Sequence, residues 1–346
     1  MTGRVLIHRQ GSLGDTVVAL PCFHLIRAAF PDSEVRVLTN MPVNGRAPPL
    51  SAVLEGSGLV DGYFEYPVSL RDWRGIWRLM RLIRAWRPDT AIYLVRRLRK
   101  RQVLRDLVFL WSCGIGKFFG LPLTRDQREP RRCADGLVER EAARLVRCLA
   151  PLGAANLDDP ANWDLCLTEA ERAVPRRMVA DWAGTRRYIV LCTGTKQTIN
   201  MWSEANWRAL VASLLQAYPH RIVFVGGVED HVLSEEIVHE HPARCINLCG
   251  TLGVRESAAV IAASSLFVGA DSGPMHLAGA VGTPLVGIFS RLNPPGLWFP
   301  VGEQVRTLYP HAPGATIDSI TPAEVSTAVA GLMPIDAASK TQVESA

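Results

Sequence analysis

The sequence predicts an α/β protein made of two doubly wound parallel sheets in succession, and three observations carry that prediction. Short apolar runs alternate with runs of helical period along the 346 residues. The alternation lapses over Ala154–Arg177, in a mixture of turn residues and a short helical stretch, and then restarts. The chemically unusual residues come directly after the apolar runs, where doubly wound sheets bind their ligands. The expected division is a domain over 1–170, a second over 171–335, and a polar tail over 336–346 that is expected to be disordered.

The elements follow in order. "RVLIH" (Arg4–His8) is a short buried strand, and Asp15–Pro31 carries apolar residues at helical spacing. "EVRVLT" (Glu34–Thr39) alternates as a strand, which completes a β-α-β unit and favours a right-handed crossover. A helix rich in Trp and Arg (Asp72–Trp86) precedes the strand Asp89–Val95, and a further helix is expected over Leu137–Gly153. In the second half, strands are expected at Tyr188–Gly194, Arg221–Gly227, Ser265–Asp271 and Pro284–Ser290. Helices are expected at Ser203–Pro219, Glu229–His241, Gly273–Gly282 and Thr321–Met333. Two such domains would place their strand ends on a common cleft, a favoured position for small ligands.

Composition narrows the function classes. Hydrophobic content of 48% and charged content of 21% are those of a globular protein. No run of 18 or more apolar residues suits a spanning helix, and "MTGRVLIHRQ" lacks the pattern of a secretion signal, so a cytoplasmic location is expected. The eight cysteines form no C-x-x-C pair and no zinc-like set, and are expected to be inert small hydrophobes. The net charge of +5 is uneven: residues 1–150 hold 25 Lys+Arg against 14 Asp+Glu, and the remainder 13 against 19. The first half therefore suits an anionic partner. Zinc-finger, helix-turn-helix and RNA-binding aromatic patterns are lacking, so nucleic acid is not expected.

"GSLGD" follows the first strand and opens a helix. Gly11 and Gly14 permit a tight turn around Ser12 and close approach of a ligand to the backbone. The spacing is not that of a dinucleotide fingerprint. Asp15 fits two roles, a helix-capping acid or a catalytic group. In "GADSGPMHLAGAVGTP", the strand ends at Asp271, and Ser272, Gly273 and Pro274 open a helix. The N–H groups of Ser272, Gly273, Met275 and His276 are expected to converge on an anion, and the His276 side chain either joins them or is an ordinary surface histidine. Thr193, Thr195 and Lys196 supply hydroxyls and a cation suited to a diphosphate. Gly227 turns the chain before Glu229 and Asp230, either of which could take ribose hydroxyls or simply favour the helix dipole. Arg96, Arg97, Arg99, Lys100 and Arg101 begin a segment that continues into Leu, Val, Phe and Trp. It suits an anionic membrane, an acceptor's phosphates, or a plain solvated face. The aromatics of "SRLNPPGLWFPVG" either stack on a ligand or close the core.

Taken together, "GSLGDTVVALP", "GTK…W…NW" and "DSGPMHLAGAVGTPLVGIFS…NPPG" resemble glycosyltransferase family 9, the lipopolysaccharide heptosyltransferases, from about Arg4 to Leu332. The resemblance implies a GT-B architecture of two Rossmann-like domains around a cleft, with the acceptor held by the first and a nucleotide-sugar by the second. It implies inverting transfer without an essential metal or other cofactor, ADP-heptose being the best-known donor. Asp15 matches the proposed general base, and Asp271–His276 matches the donor-phosphate turn. One departure is "INMW" (Ile199–Trp202), which lacks the cation some members carry there, and Lys196 is the candidate substitute. The expected protein is peripheral on the cytoplasmic face of the inner membrane and glycosylates a phosphorylated or lipid-linked glycan. A GT-B nucleotide-sugar 2-epimerase and an inactive nucleotide-binding membrane protein are the alternatives.

Overall fold

The computed structural model describes residues 3–41, 48–67, 73–179, 188–312 and 314–334. The expected tail over 336–346, and Asp72 at the start of one expected helix, lie outside these residues. The chain divides into two units: Met1–Cys166 with Pro294–Trp298, and Leu167–Asn293 with Phe299–Ala346.

The N-terminal unit holds five parallel strands, β1 (Arg4–His8), β2 (Glu34–Met41), β3 (Gly62–Pro67), β4 (Thr90–Tyr93) and β5 (Lys117–Phe119). Their order is β3-β2-β1-β4-β5. β1 is central, with Val5 facing Val35 on one side and Thr90 on the other, and its apolar residues are fully buried, as a strand covered on both faces requires. The chain winds from β1 to β3, then returns past β1 to β4 and β5, which makes the gap between β1 and β4 a topological switch point. The Trp73–Trp86 and Lys100–Ser112 helices share one hydrophobic cluster with Leu6, Leu38 and Tyr93 of this sheet.

Two helices differ from the sequence reading. The expected helix over Asp15–Pro31 is two, Leu13–Val18 and Leu20–Ala29, broken at Ala19 (φ −93°, ψ 0°). Pro21 sits in the first turn of the second, where its missing N–H costs nothing, whereas one continuous helix would need that donor. Within Leu137–Gly153 only Glu141–Cys148 is α-helical, followed by a short 3₁₀ turn at Ala150–Leu152. The stretch before it is held extended, because Val138 N–H donates to Pro295 O (3.0 Å) and Glu141 N–H to Leu297 O (2.9 Å). Beneath this contact Arg144 meets Glu141 through two hydrogen bonds (2.6 and 2.8 Å), both side chains 1% exposed.

The C-terminal unit holds β6 (Tyr188–Cys192), β7 (Arg221–Phe224), β8 (Cys245–Asn247), β9 (Leu266–Ala270), β10 (Leu285–Ile288) and β11 (Val305–Leu308), in the order β11-β10-β9-β6-β7-β8. All neighbours pair in parallel, and β6 is buried throughout. Here the winding direction reverses between β6 and β9. The two tryptophans of the middle motif are core residues: Trp202 and Trp207 lie edge to face at 4.9 Å, and Trp202 Nε1 donates to Ile320 O (2.9 Å). That bond holds the entry to the terminal Pro322–Leu332 helix, whose Thr321 and Glu324 form a capping box.

None of the eight cysteines is in a disulfide among the described residues, and six are buried. Burial pushes Cys22 up to about 12, so it behaves as a small apolar side chain. Among the described residues no helix is long and apolar enough to cross a membrane.

Candidate active site

In the C-terminal unit, two of the expected site segments leave the sheet on either side of its switch point, Thr193–Lys196 after β6 and Asp271–His276 after β9. Thr195 Oγ1 donates to Asp271 O (3.4 Å), and Asn200 Nδ2 reaches Asp271 O (3.3 Å) and Oδ2 (3.4 Å). The Ser290 hydroxyl, after β10, donates to Asn200 Oδ1. Asn200, buried and uncharged, thus ties three loops together. The sequence reading passed over it while looking for a cation in the same stretch.

The Gly273–Ala280 helix begins at this crossing, with Ser272 as N-cap and Pro274 in its first turn. An α-helix starting here leaves the N–H groups of Ser272, Gly273 and Met275 without internal partners, while that of His276 is the first to enter the helix ladder. Three backbone donors therefore replace the expected four. The His276 side chain is 6% exposed, which rules out an ordinary surface histidine. Lys196 is exposed and Thr193 buried, so the cation and not the first threonine is open to a ligand.

The acids of this unit behave differently from one another. Burial raises Asp271 to about 6, against the lowering effect of hydrogen bonds from Asn200 and Asn293. Its carboxyl is engaged by side-chain amides and organises the loops; beside a diphosphate its negative charge would repel. Asp230 closes the turn after β7 by accepting from Gly227 N–H (2.8 Å), and burial raises it to about 6. It fills the space over Gly194, where any Cβ would overlap the Asp230 carboxylate. Glu229 is exposed and Asp230 half-buried.

In the N-terminal unit, the loop after β1 carries the expected glycine turn. Gly11 has φ +136°, and a Cβ there would overlap the Asp15 side chain, which folds back over it. Asp15 is the third residue of the Leu13–Val18 helix, and its Oδ2 accepts from Ser12 N–H (3.0 Å). Gly14 lies inside the helix. Asp15 thus has the capping geometry, and its carboxylate is half-exposed beside the turn, a placement that also leaves it open to a substrate hydroxyl. Gly11 N–H donates to Asn40 Oδ1 at the end of β2 (3.0 Å).

Arg9, which the sequence reading missed, is the fastener of this switch point. Its buried guanidinium donates to Leu94 O after β4 (2.6 Å) and to the carbonyl of Asp15. A cation ending an apolar strand was the available signal.

The basic run splits. Arg97 pairs with Asp106 (3.0 Å), while Arg96 lies over the Trp298 ring (5.9 Å) and 3.8 Å from Glu141. Arg99, Lys100 and Arg101 are exposed at the start of the Lys100–Ser112 helix. The aromatics near 298 also part company: Trp298 belongs to the N-terminal unit, and Phe299 packs on Phe289 (5.9 Å) and Tyr309 (6.1 Å) in the other. Among the described residues no three His, Cys, Asp or Glu side chains converge as metal ligands.

Comparison with known proteins matches this geometry to a family. The chain is 28% identical to lipopolysaccharide heptosyltransferase 2 of Salmonella typhimurium over 46% of this chain and 47% of that enzyme, just under half its length. It is 24% identical to lipopolysaccharide heptosyltransferase 3 of Escherichia coli over 81% of each. A glycosyltransferase family 9 structure from Veillonella parvula covers 95% of the chain and 97% of its own, at TM-score 0.74 and 18% identity. The structure of E. coli heptosyltransferase WaaC with ADP-2-deoxy-2-fluoro heptose covers 95% and 99%, at TM-score 0.66 and 17% identity. These neighbours share the two-unit GT-B fold. The model of glycosyltransferase family 9 (heptosyltransferase) matches residues 138–318, more than half of the chain. The chain is a glycosyltransferase and belongs to glycosyltransferase family 9, the heptosyltransferase family.

Proposed function

We propose that this glycosyltransferase transfers a heptose, with inversion, from ADP-heptose to a hydroxyl of a lipopolysaccharide core or related surface glycan. The observation that carries the reading is the crossing at the β6/β9 switch point, where Thr195 meets Asp271 beside a helix N-terminus, with the exposed Lys196 next in the chain. Backbone donors at a helix start suit a diphosphate, and Lys196 adds the compensating charge. The E. coli relative solved with an ADP-sugar analogue supports ADP-heptose as the donor.

In the proposed step, the acceptor hydroxyl gives its proton to the Asp15 carboxylate as its oxygen attacks the anomeric carbon. The bond from that carbon to the diphosphate breaks, and its electron pair leaves with the nucleotide. The N–H groups of Ser272, Gly273 and Met275, with Lys196, then stabilise the charge developing on the diphosphate without a metal. On this reading Asp230, in the turn after β7, faces the nucleoside. The N-terminal unit holds the acceptor, and its surplus of basic residues suits phosphorylated sugars.

The enzyme works, on this reading, at the cytoplasmic face of the inner membrane. Supporting this, the Trp73–Trp86 helix exposes Trp73 (71%) and Trp77, carries four arginines and contains no acid.

The test is a thermal-shift panel of ADP, GDP and UDP and their sugars. At ~100 times its dissociation constant, the right nucleotide stabilises by about 2.7 kcal/mol. Lys196→Ala weakens the response. A flat response to every ADP compound overturns the donor assignment.

A further inference from the structure

The N-terminal unit contains a cavity of about 510 Å³ lined by residues of the Trp73–Trp86 and Lys100–Ser112 helices and of β1, β2 and β3. The volume is that of small-molecule sites. One wall is apolar, made by Leu38, Ile76, Leu79 and Phe109. Such a wall offers few hydrogen bonds to a sugar and suits hydrocarbon.

The remaining lining is polar and carries net positive charge. Asp106 accepts from Arg97 Nε (3.0 Å) and Arg105 Nη2 (2.8 Å), so two guanidiniums share one carboxylate. Arg105 is otherwise well exposed. His8 also lines the cavity, is 4% exposed, and has an Nδ1 with no hydrogen-bond partner among the described residues. Burial lowers its pKa to about 4, so near neutral pH it is an uncharged imidazole and adds no charge to the lining.

The same two helices present apolar side chains outward. Leu104, Val108 and Trp111 form a stripe at i, i+4, i+7, and Trp73 and Trp77 extend along the other helix among Arg74, Arg78, Arg81 and Arg84. Arg84 Nη1 donates to Ser112 O (2.8 Å) and joins the two helix ends. Ile76 is both exposed and a lining residue, so the cavity reaches the surface beside this apolar, basic face.

We propose that this cavity binds the hydrocarbon chain of an anionic amphiphile, with its phosphate at Arg97 and Arg105. The occupant is drawn from an anionic bilayer against which the outward stripes rest, so the chain need not cross water. This deepens the acceptor role given above to the N-terminal unit, and it rests on that reading only in making the amphiphile an acceptor.

The test is calorimetric titration of the full chain with decyl phosphate below its micellar concentration, beside decanol and inorganic phosphate. Decyl phosphate is expected to bind one to one, decanol at least tenfold more weakly, and inorganic phosphate not measurably. Leu79→Trp puts an indole into the apolar wall and narrows the cavity, and Ile76→Asp places a charge at its exposed rim; each raises the decyl phosphate Kd at least tenfold. If Leu79→Trp does not fold, Ile76→Asp carries the test, because its site is partly solvated. Equal binding of decanol, tight binding of inorganic phosphate alone, or unaltered binding in the folded variants overturns the proposal. The ADP-induced thermal shift is measured on the same samples. An intact shift without decyl phosphate binding sinks the cavity assignment and leaves the donor reading standing; decyl phosphate binding without an ADP shift does the reverse.

Discussion

The two units share one winding pattern and fasten their switch points by opposite means. In the C-terminal unit, neutral groups join the loops: Thr195, Asn200 and Ser290 bond around Asp271, and helix N–H groups remain for an anion. In the N-terminal unit, a buried cation does it: Arg9 clasps the loops after β1 and β4 through their carbonyls. Topology therefore chooses where a ligand sits, and the fastener chooses what chemistry is left to offer. On the proposed reading, a site fastened by amides keeps its donors for a diphosphate, and a site fastened by an arginine leaves the neighbouring Asp15 carboxylate for a hydroxyl.

The sharpest way to break this comparison is at Asp15. Asp15→Asn keeps the shape of the turn and removes the base, so kcat should fall ~100- to 10,000-fold. The ADP-induced thermal shift, which belongs to the other unit, should be unaltered. If turnover stays near that of the parent protein, Asp15 only closes the helix.

The next largest effect is on stability. Arg144→Leu leaves the 1% exposed Glu141 only the more distant Arg96 (3.8 Å), and should cost about 3–5 kcal/mol in urea unfolding. Arg255→Leu in the C-terminal unit breaks a pair whose Glu171 partner is 20% exposed, and should cost less. Equal losses would remove the distinction.

The third test is pH. Asp271 has a folded-state pKa of about 6, above its ordinary value of 3.8, and burial is the main cause. Stability from its neutral form is full below about pH 4 and is lost as pH rises through 6. At pH 7.5 the ionised group should cost of the order of 3 kcal/mol. Asp271→Asn should therefore gain on the parent protein between pH 5 and pH 7.5 in calorimetry; a constant difference across that window defeats the claim.

Much of this was legible in the sequence, for identifiable reasons. β1, β6 and β9 are continuous apolar runs, and a central parallel strand has no other way to look. β3, β5, β8 and β11 were not readable: they are short or lie at edges, and GYFEYP and KFF carry no pattern of their own. The helix start after β9 was visible because Pro274 and the glycine before it are local signals. Arg9 and Asn200 were not, since each acts on residues 85 and 71 positions away, and only the folded sheet brings those together.

The smallest expected effects are at the surface. Reversing Arg99 and Lys100 to Glu should alter stability by no more than ~0.5 kcal/mol, since both are exposed. Binding to vesicles containing anionic lipid should weaken in a co-sedimentation assay. Unchanged binding would shift the membrane role away from this helix start.

The loan of Pro294–Trp298 to the N-terminal unit has a consequence in time. Val138 and Glu141 take their backbone partners from this segment, which is synthesised about 130 residues after the unit's main body ends at Cys166. At about 5–20 residues per second, the wait is roughly 7–26 s. During that interval the nascent N-terminal unit carries an open seam, and it closes only after Leu167–Asn293, the larger part of its companion, has emerged.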